Sequence, residues 1–215
     1  LDFMAGSMDV HTLVITSTVP EESKSNVAVN LAMTMAESGK KVALVDCDLR
    51  KPVLHRYLKA GHNVKGVSNV LSNQCTLDEA LQELKEMNLT FLPAGTPPPN
   101  PSEMLSQPQM QAMVNTLREK FDVVIFDAPP VSVVTDAAVI GRYVDGAVFV
   151  VRSDYAPADA VRGAVKKLQD AGVRVLGSVL TRYDMKKALK GSSYAYSYAY
   201  NYNYAYEKQK ADVTE

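Results

Sequence analysis

Four stretches of this chain, Val42–Val45, Val123–Phe126, Val148–Val151 and Val175–Leu180, are apolar without interruption or nearly so, and that narrows the folds open to it. A strand with one face in water alternates apolar and polar residues, whereas an unbroken apolar run marks a strand covered on both faces. Thr12–Ser17 is a fifth such run, rich in β-branched residues and followed by turn chemistry around Pro20. Helical patterns lie between the runs. From Lys24 to Glu37 the residues Val27, Leu31 and Met35 recur every four positions, and Gly39 stands where a left-handed C-terminal cap is wanted. Further helices are predicted over Leu77–Leu84, Met104–Lys120, Thr135–Tyr143 and Pro157–Ala171. Strands alternating with helices predict an α/β fold, an open and mostly parallel twisted sheet with helices on both faces, whose ligands sit at the carboxyl ends of the strands.

A chain of 215 residues, 47% of them hydrophobic, can bury one full core, expected here over residues 1–187. The formal charge of −1 gives no electrostatic footprint for nucleic acid, and no stretch is apolar for long enough to cross a bilayer. Cys47 and Cys75 make neither a metal-ligand spacing nor a disulfide framework, which suits a reducing, cytoplasmic setting, and Leu1–Asp9 lack the pattern of a signal peptide. His11, His55 and His62 show no ligand spacing among themselves. Residues 188–215 differ from the rest. Gly191–Tyr206 reads GSSYAYSYAYNYNYAY, without the branched aliphatic residues that build cores, and predicts a flexible tail.

Chemistry concentrates after the strands. Thr16–Ala32 reads TSTVPEESKSNVAVNLA, a strand, a turn, Lys-Ser and an amphipathic helix, which is the order in which helix N-terminal amides and a lysine hold polyphosphate. Lys24 then reaches terminal phosphates, Ser25 offers a hydroxyl to Mg²⁺, and Asn26 lies near the inner phosphate. A serine also suits an ordinary helix N-cap, so this segment alone leaves both readings open. VALVDCD (Val42–Asp48) and VVIFD (Val123–Asp127) both end in acid at the edge where a nucleotide would sit. A hard cation bridging phosphate and carboxylate oxygens gives such acids a partner, and a carboxylate beside an acceptor hydroxyl can take its proton. Cys47, between two of these acids, should face the other side of the sheet.

Taken together, VALVDCDLRKP (Val42–Pro52), PAGTPPPNPSEML (Pro93–Leu105), FDVVIFDAPPVSVVTDA (Phe121–Ala137) and the tyrosine tail resemble the cytoplasmic catalytic domain of the bacterial tyrosine kinases that regulate capsular and exopolysaccharide synthesis. The resemblance implies ATP or ADP with Mg²⁺ as ligands. It implies phosphate binding by the loop Glu21, Glu22, Ser23, Lys24, Ser25 and Asn26, metal binding by Ser25, Asp48 and Asp127, and Asp46 as the base. Arg50 would contact phosphate or lie in a surface salt bridge. Tyr194, Tyr196, Tyr198, Tyr200, Tyr202, Tyr204 and Tyr206 would be acceptors for a neighbouring copy. Partners implied are a membrane activator with a cytoplasmic end, further copies of the chain and a cognate phosphatase, at the inner face of the plasma membrane. No Glu-x-x-Arg-x-x-Arg element of the kind used in ring assembly occurs, which argues against a ring.

Two departures matter. Partitioning-type ATPases of related fold carry a lysine five residues before the loop lysine, and Val19 stands there instead, which disfavours an ATPase switch. The kinase pattern has glycine where this chain has Glu21 and Ser23, and glycine both tolerates positive φ and lets amides approach phosphate. Glu21 also sets a negative charge near a polyanion, a repulsion on the order of 1–4 kcal/mol at a few ångströms. The expectation is a weakened nucleotide site, with a non-catalytic scaffold of the same fold as the alternative.

Overall fold

The computed structural model describes residues 10–61 and 64–184. Among these a seven-stranded sheet runs β3-β4-β2-β5-β1-β6-β7, formed by β1 (Thr12–Ser17), β2 (Val42–Asp46), β3 (Gln82–Leu84), β4 (Leu89–Leu92), β5 (Val123–Asp127), β6 (Gly146–Arg152) and β7 (Val175–Thr181). Every neighbouring pair is parallel except β3–β4. From β1 the chain crosses to β2 on one side, and after β5 it crosses to β6 on the other. The crevice at this reversal opens at the carboxyl ends of β1, β2 and β5, as the fold class requires.

Helices cover both faces. On one, α1 (Lys24–Glu37) and α2 (Leu54–Tyr57) pack Ala28, Ala32, Met35 and Leu54 against Leu13, Ile15, Leu44 and Ile125. On the other lie α3 (Val67–Leu71), α4 (Leu77–Ala80), α5 (Pro101–Leu105), α6 (Pro108–Lys120), α7 (Asp136–Gly141) and α8 (Ala158–Asp170), around Phe126, Phe149, Leu117 and Leu168. β1 and α1 have the predicted bounds, and Gly39 takes the left-handed turn at φ 88°. The buried stripe of α1 is Ser25, Ala28, Val29, Ala32, Met35 and Ala36, so its small residues face the sheet and let it approach closely, while Val27 and Leu31 are only half-buried.

Three expectations are corrected. Leu77–Leu84 is not one helix: Thr76 and Glu79 form a capping box that starts a single turn, and after Ala80 the chain extends into β3, pairing antiparallel with β4. The spacing of Leu77, Leu81 and Leu84 imitates a helix, but pairing with β4 prevails. Met104–Lys120 is broken before Pro108, which disfavours helical backbone at Gln107 (ψ 155°) and begins α6 instead. Among the described residues β7 ends the sheet and leaves Val179 and Leu180 exposed, so it is not covered on both faces there. The compact unit built on this sheet ends at Thr181 and a second unit begins at Arg182. The predicted boundary after Lys187 and the seven tail tyrosines lie outside the described residues.

Candidate nucleotide site

Register places the acids. Asp46 pairs with Asp127 across β2 and β5, so both side chains leave the same row of the sheet on the side covered by α1. The first turn of α1 lies above them with Lys24 and Ser25. The Lys24 ammonium reaches Asp48 Oδ2 at 3.2 Å, Asp127 Oδ1 at 3.3 Å and Ser25 Oγ at 3.2 Å. Ser25 Oγ donates a short 2.5 Å bond to Asp127 Oδ2. Asp46 accepts from the amides of Asp48 and Leu54, each at 3.2 Å, and this shapes the loop that follows β2.

These groups are nearly dry, with Asp127 at 0%, Asp46 at 1%, Ser25 at 6% and Asp48 at 7% exposure. Burial, with the neighbouring charge of Asp127, pushes the Asp46 carboxyl up to about 8. Burial also raises Asp127, against the opposing pull of Lys24 and Ser25. Burial opposes the charge on Lys24 too, but Asp127, Asp48 and Asp46 together outweigh it and raise its pKa. The result is one cation held among three carboxylates. The donor set is all oxygen, a hydroxyl and two carboxylates, which fits a hard cation such as Mg²⁺ that takes its remaining ligands from phosphate and water. Among the described residues no group of three or more His, Cys, Asp or Glu is arranged to hold a metal by itself.

The phosphate loop keeps the shape that glycine would favour without containing glycine. Glu21 has φ 67° and Ser23 has φ 70°, both left-handed, at a cost of about 1–2 kcal/mol for each residue bearing a Cβ. The Glu21 side chain turns outward, where it accepts from the Tyr155 hydroxyl at 3.4 Å; Arg152 donates to the Glu21 carbonyl and lies 4.3 Å from the Tyr155 ring centroid. Glu22 turns inward and is fully buried. Asn26 is exposed and accepts from Asn30.

Arg50 is bonded to the start of α7 and to α5. Its Nε donates to Asp136 Oδ2 at 3.1 Å and its Nη2 to Ser102 Oγ at 2.8 Å, and Ser102 in turn donates to Asp136. The expected salt bridge is formed, but with a fully buried partner rather than at the surface. Cys47 is packed on the sheet face away from Asp46, as strand alternation predicted. The inward turn of Glu22 and the partnership of Arg50 with Asp136 had no sequence signal beyond the presence of the acids.

A doubly wound parallel sheet whose first strand leads through a phosphate-type loop into a helix, with acids ending two neighbouring strands, defines the P-loop nucleotide-binding class in its deviant form. The chain matches the AAA domain family over residues 22–155. It is 35% identical over 194 residues to the tyrosine-protein kinase YwqD of Bacillus subtilis (strain 168), covering 90% of this chain and 80% of that one. Over 192 residues it is 35% identical to the putative tyrosine-protein kinase CapB of Staphylococcus aureus, covering 89% and 82%. The crystal structure of the VpsO kinase domain superposes with a TM-score of 0.80 at 30% identity, covering 85% and 90%. The chain belongs to the bacterial tyrosine-kinase family.

Proposed function

We propose that this chain is an ATP·Mg²⁺-dependent protein-tyrosine kinase whose acceptors are the tyrosines Tyr194 to Tyr206 of a neighbouring copy. The observation that carries the reading is the contact of Lys24 with Asp48, Asp127 and Ser25 at one sheet edge, beside Asp46. In this arrangement Lys24 and the amides of the loop bind the phosphates, and Ser25, Asp48 and Asp127 hold Mg²⁺. The ion, when bound, offsets charge on the transferring phosphoryl group. Asp46 accepts the proton of the tyrosine hydroxyl as the new oxygen–phosphorus bond forms and the bond to the departing ADP breaks. Arg50 fixes the loop after β2 through Asp136 and thereby the place of Asp48. Membership in the family supports a role in regulating polysaccharide synthesis or export, with a membrane activator that supplies a cytoplasmic end and a phosphatase that reverses the modification.

Each phosphate on the tail adds about −1.5 to −2 charge, so a fully modified tail is repelled by the acidic site and by other tails. Phosphorylation thus favours separation of the copies. The test is a phosphotyrosine blot and mass spectrometry of the full chain with ATP·Mg²⁺ and its activator. Phosphate on the tail tyrosines is the expected result, and ADP formed without phosphotyrosine overturns the kinase reading in favour of an ATPase switch. A second reading, a site weakened in turnover, is favoured by the left-handed backbone at Glu21 and Ser23.

A further inference from the structure

Glu22 is the one carboxylate of the phosphate loop that faces inward, and it is 0% exposed. Its Oε2 accepts from the amide of Val19 at 2.8 Å, three residues back across the turn. Its Oε1 accepts from the amide of Arg152 at 3.2 Å, at the end of β6. Its carbonyl accepts from the hydroxyl of Thr181 at 3.0 Å, at the end of β7. Two backbone amides and one side-chain hydroxyl, from three segments of the chain, therefore meet on one residue. On either side of it stand Glu21 and Ser23, both left-handed and both bearing a Cβ. A loop with that geometry and without glycine is biased to leave it, so something must hold it there.

We propose that Glu22 is a positioning residue, the anchor that keeps this glycine-free loop in its phosphate-receiving shape. The inference rests on the nucleotide reading for its purpose but not for its mechanics. A buried carboxylate is tolerated only when its oxygens are bonded, and both oxygens here are occupied by backbone amides, a charge-assisted arrangement stronger than neutral pairs. Withdrawal of either bond leaves a buried charge or an unpaired amide, so the loop and the end of β6 are held together. Glycine at positions 21 and 23 would remove the bias against the shape, and the anchor would then matter less. That difference separates positioning from ordinary packing, since a group that merely fills space contributes equally in both backgrounds.

The experiment compares Glu22→Gln in the native chain with Glu22→Gln in a chain carrying Glu21→Gly and Ser23→Gly. Amide hydrogen exchange over residues 18–25 is read without nucleotide, and ATP·Mg²⁺ affinity is read by titration. Gln keeps the size but can accept only through one atom. In the native background the loop amides should exchange about tenfold faster and affinity should fall about tenfold, with a markedly smaller loss in the glycine background. Equal losses in the two backgrounds, or unchanged exchange in the native one, overturn the proposal. Faster exchange in Glu22→Gln, when the unsubstituted chain shows no affinity for ATP·Mg²⁺, supports the anchor and overturns the nucleotide reading instead. If Glu22→Gln fails to fold, Thr181→Val removes the donor to the Glu22 carbonyl from outside the loop. Faster exchange confined to the loop then supports the anchor, and no change overturns it.

Discussion

Asp46 and Asp127 stand side by side in one row of adjacent parallel strands, with Lys24 the cation that faces both. Two carboxylates that close in a dry place do not both ionise freely, and the pair gives the site its electrostatic character. Burial raises both; Lys24 and Ser25 pull Asp127 back, while the charge of Asp127 adds to the rise at Asp46.

That shift sets a pH dependence of stability. The folded chain holds the Asp46 proton up to about pH 8, whereas the unfolded carboxyl releases it near its ordinary value, so between roughly pH 4 and 8 the folded state binds more protons. Stability therefore falls as pH rises through that window and levels off above it. Asp46→Asn cannot ionise, so relative to the native chain it should gain stability from pH 5 to pH 8, on the order of a few kcal/mol. Urea denaturation of both chains at the two pH values measures this, and a constant difference would contradict it. With Asp46 in its proposed role as base, the native rate should rise with pH as that carboxyl ionises.

Lys24→Met removes the cation and leaves Asp127 and Asp48 buried without it. Breaking a buried pair from one side costs about 3–5 kcal/mol, an amount that shrinks at low pH because the orphaned Asp127 can take up a proton. ATP·Mg²⁺ binding should be lost by at least about a hundredfold, since the phosphates lose their point charge together with the loop geometry. Calorimetric melting at pH 5 and pH 8, with a nucleotide titration, checks both parts.

Arg50→Ala should destabilise by about 3 kcal/mol, because Asp136 is fully buried and would keep only Ser102 among these partners. Arg50→Lys should recover little. A single ammonium cannot reproduce bonds from two guanidinium nitrogens to Asp136 and Ser102. Asp136→Asn should match Arg50→Ala within about 1 kcal/mol, and the double variant should cost less than the sum, as measured by chemical denaturation.

The sequence was most legible where one pattern decides the outcome. Residues 12–37 form the strand, turn and helix expected, because a β-branched run, a turn and a four-residue period agree there. Asp46 and Asp127 were legible because each ends a fully apolar strand, and strand ends in a parallel sheet share an edge. Shorter pieces were not. α2 and β3, at four and three residues, are too short to display a period and are held by what they pack on. The apolar run at β7 read as covered because composition does not show that a strand is last in a sheet. The inward turn of Glu22 depends on Arg152, 130 residues away, and Arg50 meets Asp136 across 86, distances at which one sequence carries no pairing signal.

The glycine substitutions test whether the loop departs from its family at a cost. Ser23→Gly and Glu21→Gly each relieve about 1–2 kcal/mol of left-handed strain and return about 0.5–1 kcal/mol through the greater freedom of unfolded glycine. The double variant should therefore gain about 1 kcal/mol, which for a domain of this size is about 2–4 °C in melting temperature. The exposed bond from Tyr155 to Glu21 is lost, but at 3.4 Å on the surface it offsets little. Affinity should change more than stability. Removal of the Glu21 charge takes away repulsion on the order of 1 kcal/mol or more, and removal of the Ser23 Cβ opens the amides to phosphate, so ATP·Mg²⁺ should bind about tenfold tighter. Unchanged affinity alongside the gain in melting temperature would mean that the outward turn of Glu21 already keeps its charge clear of the phosphates, and that the loop was never weakened.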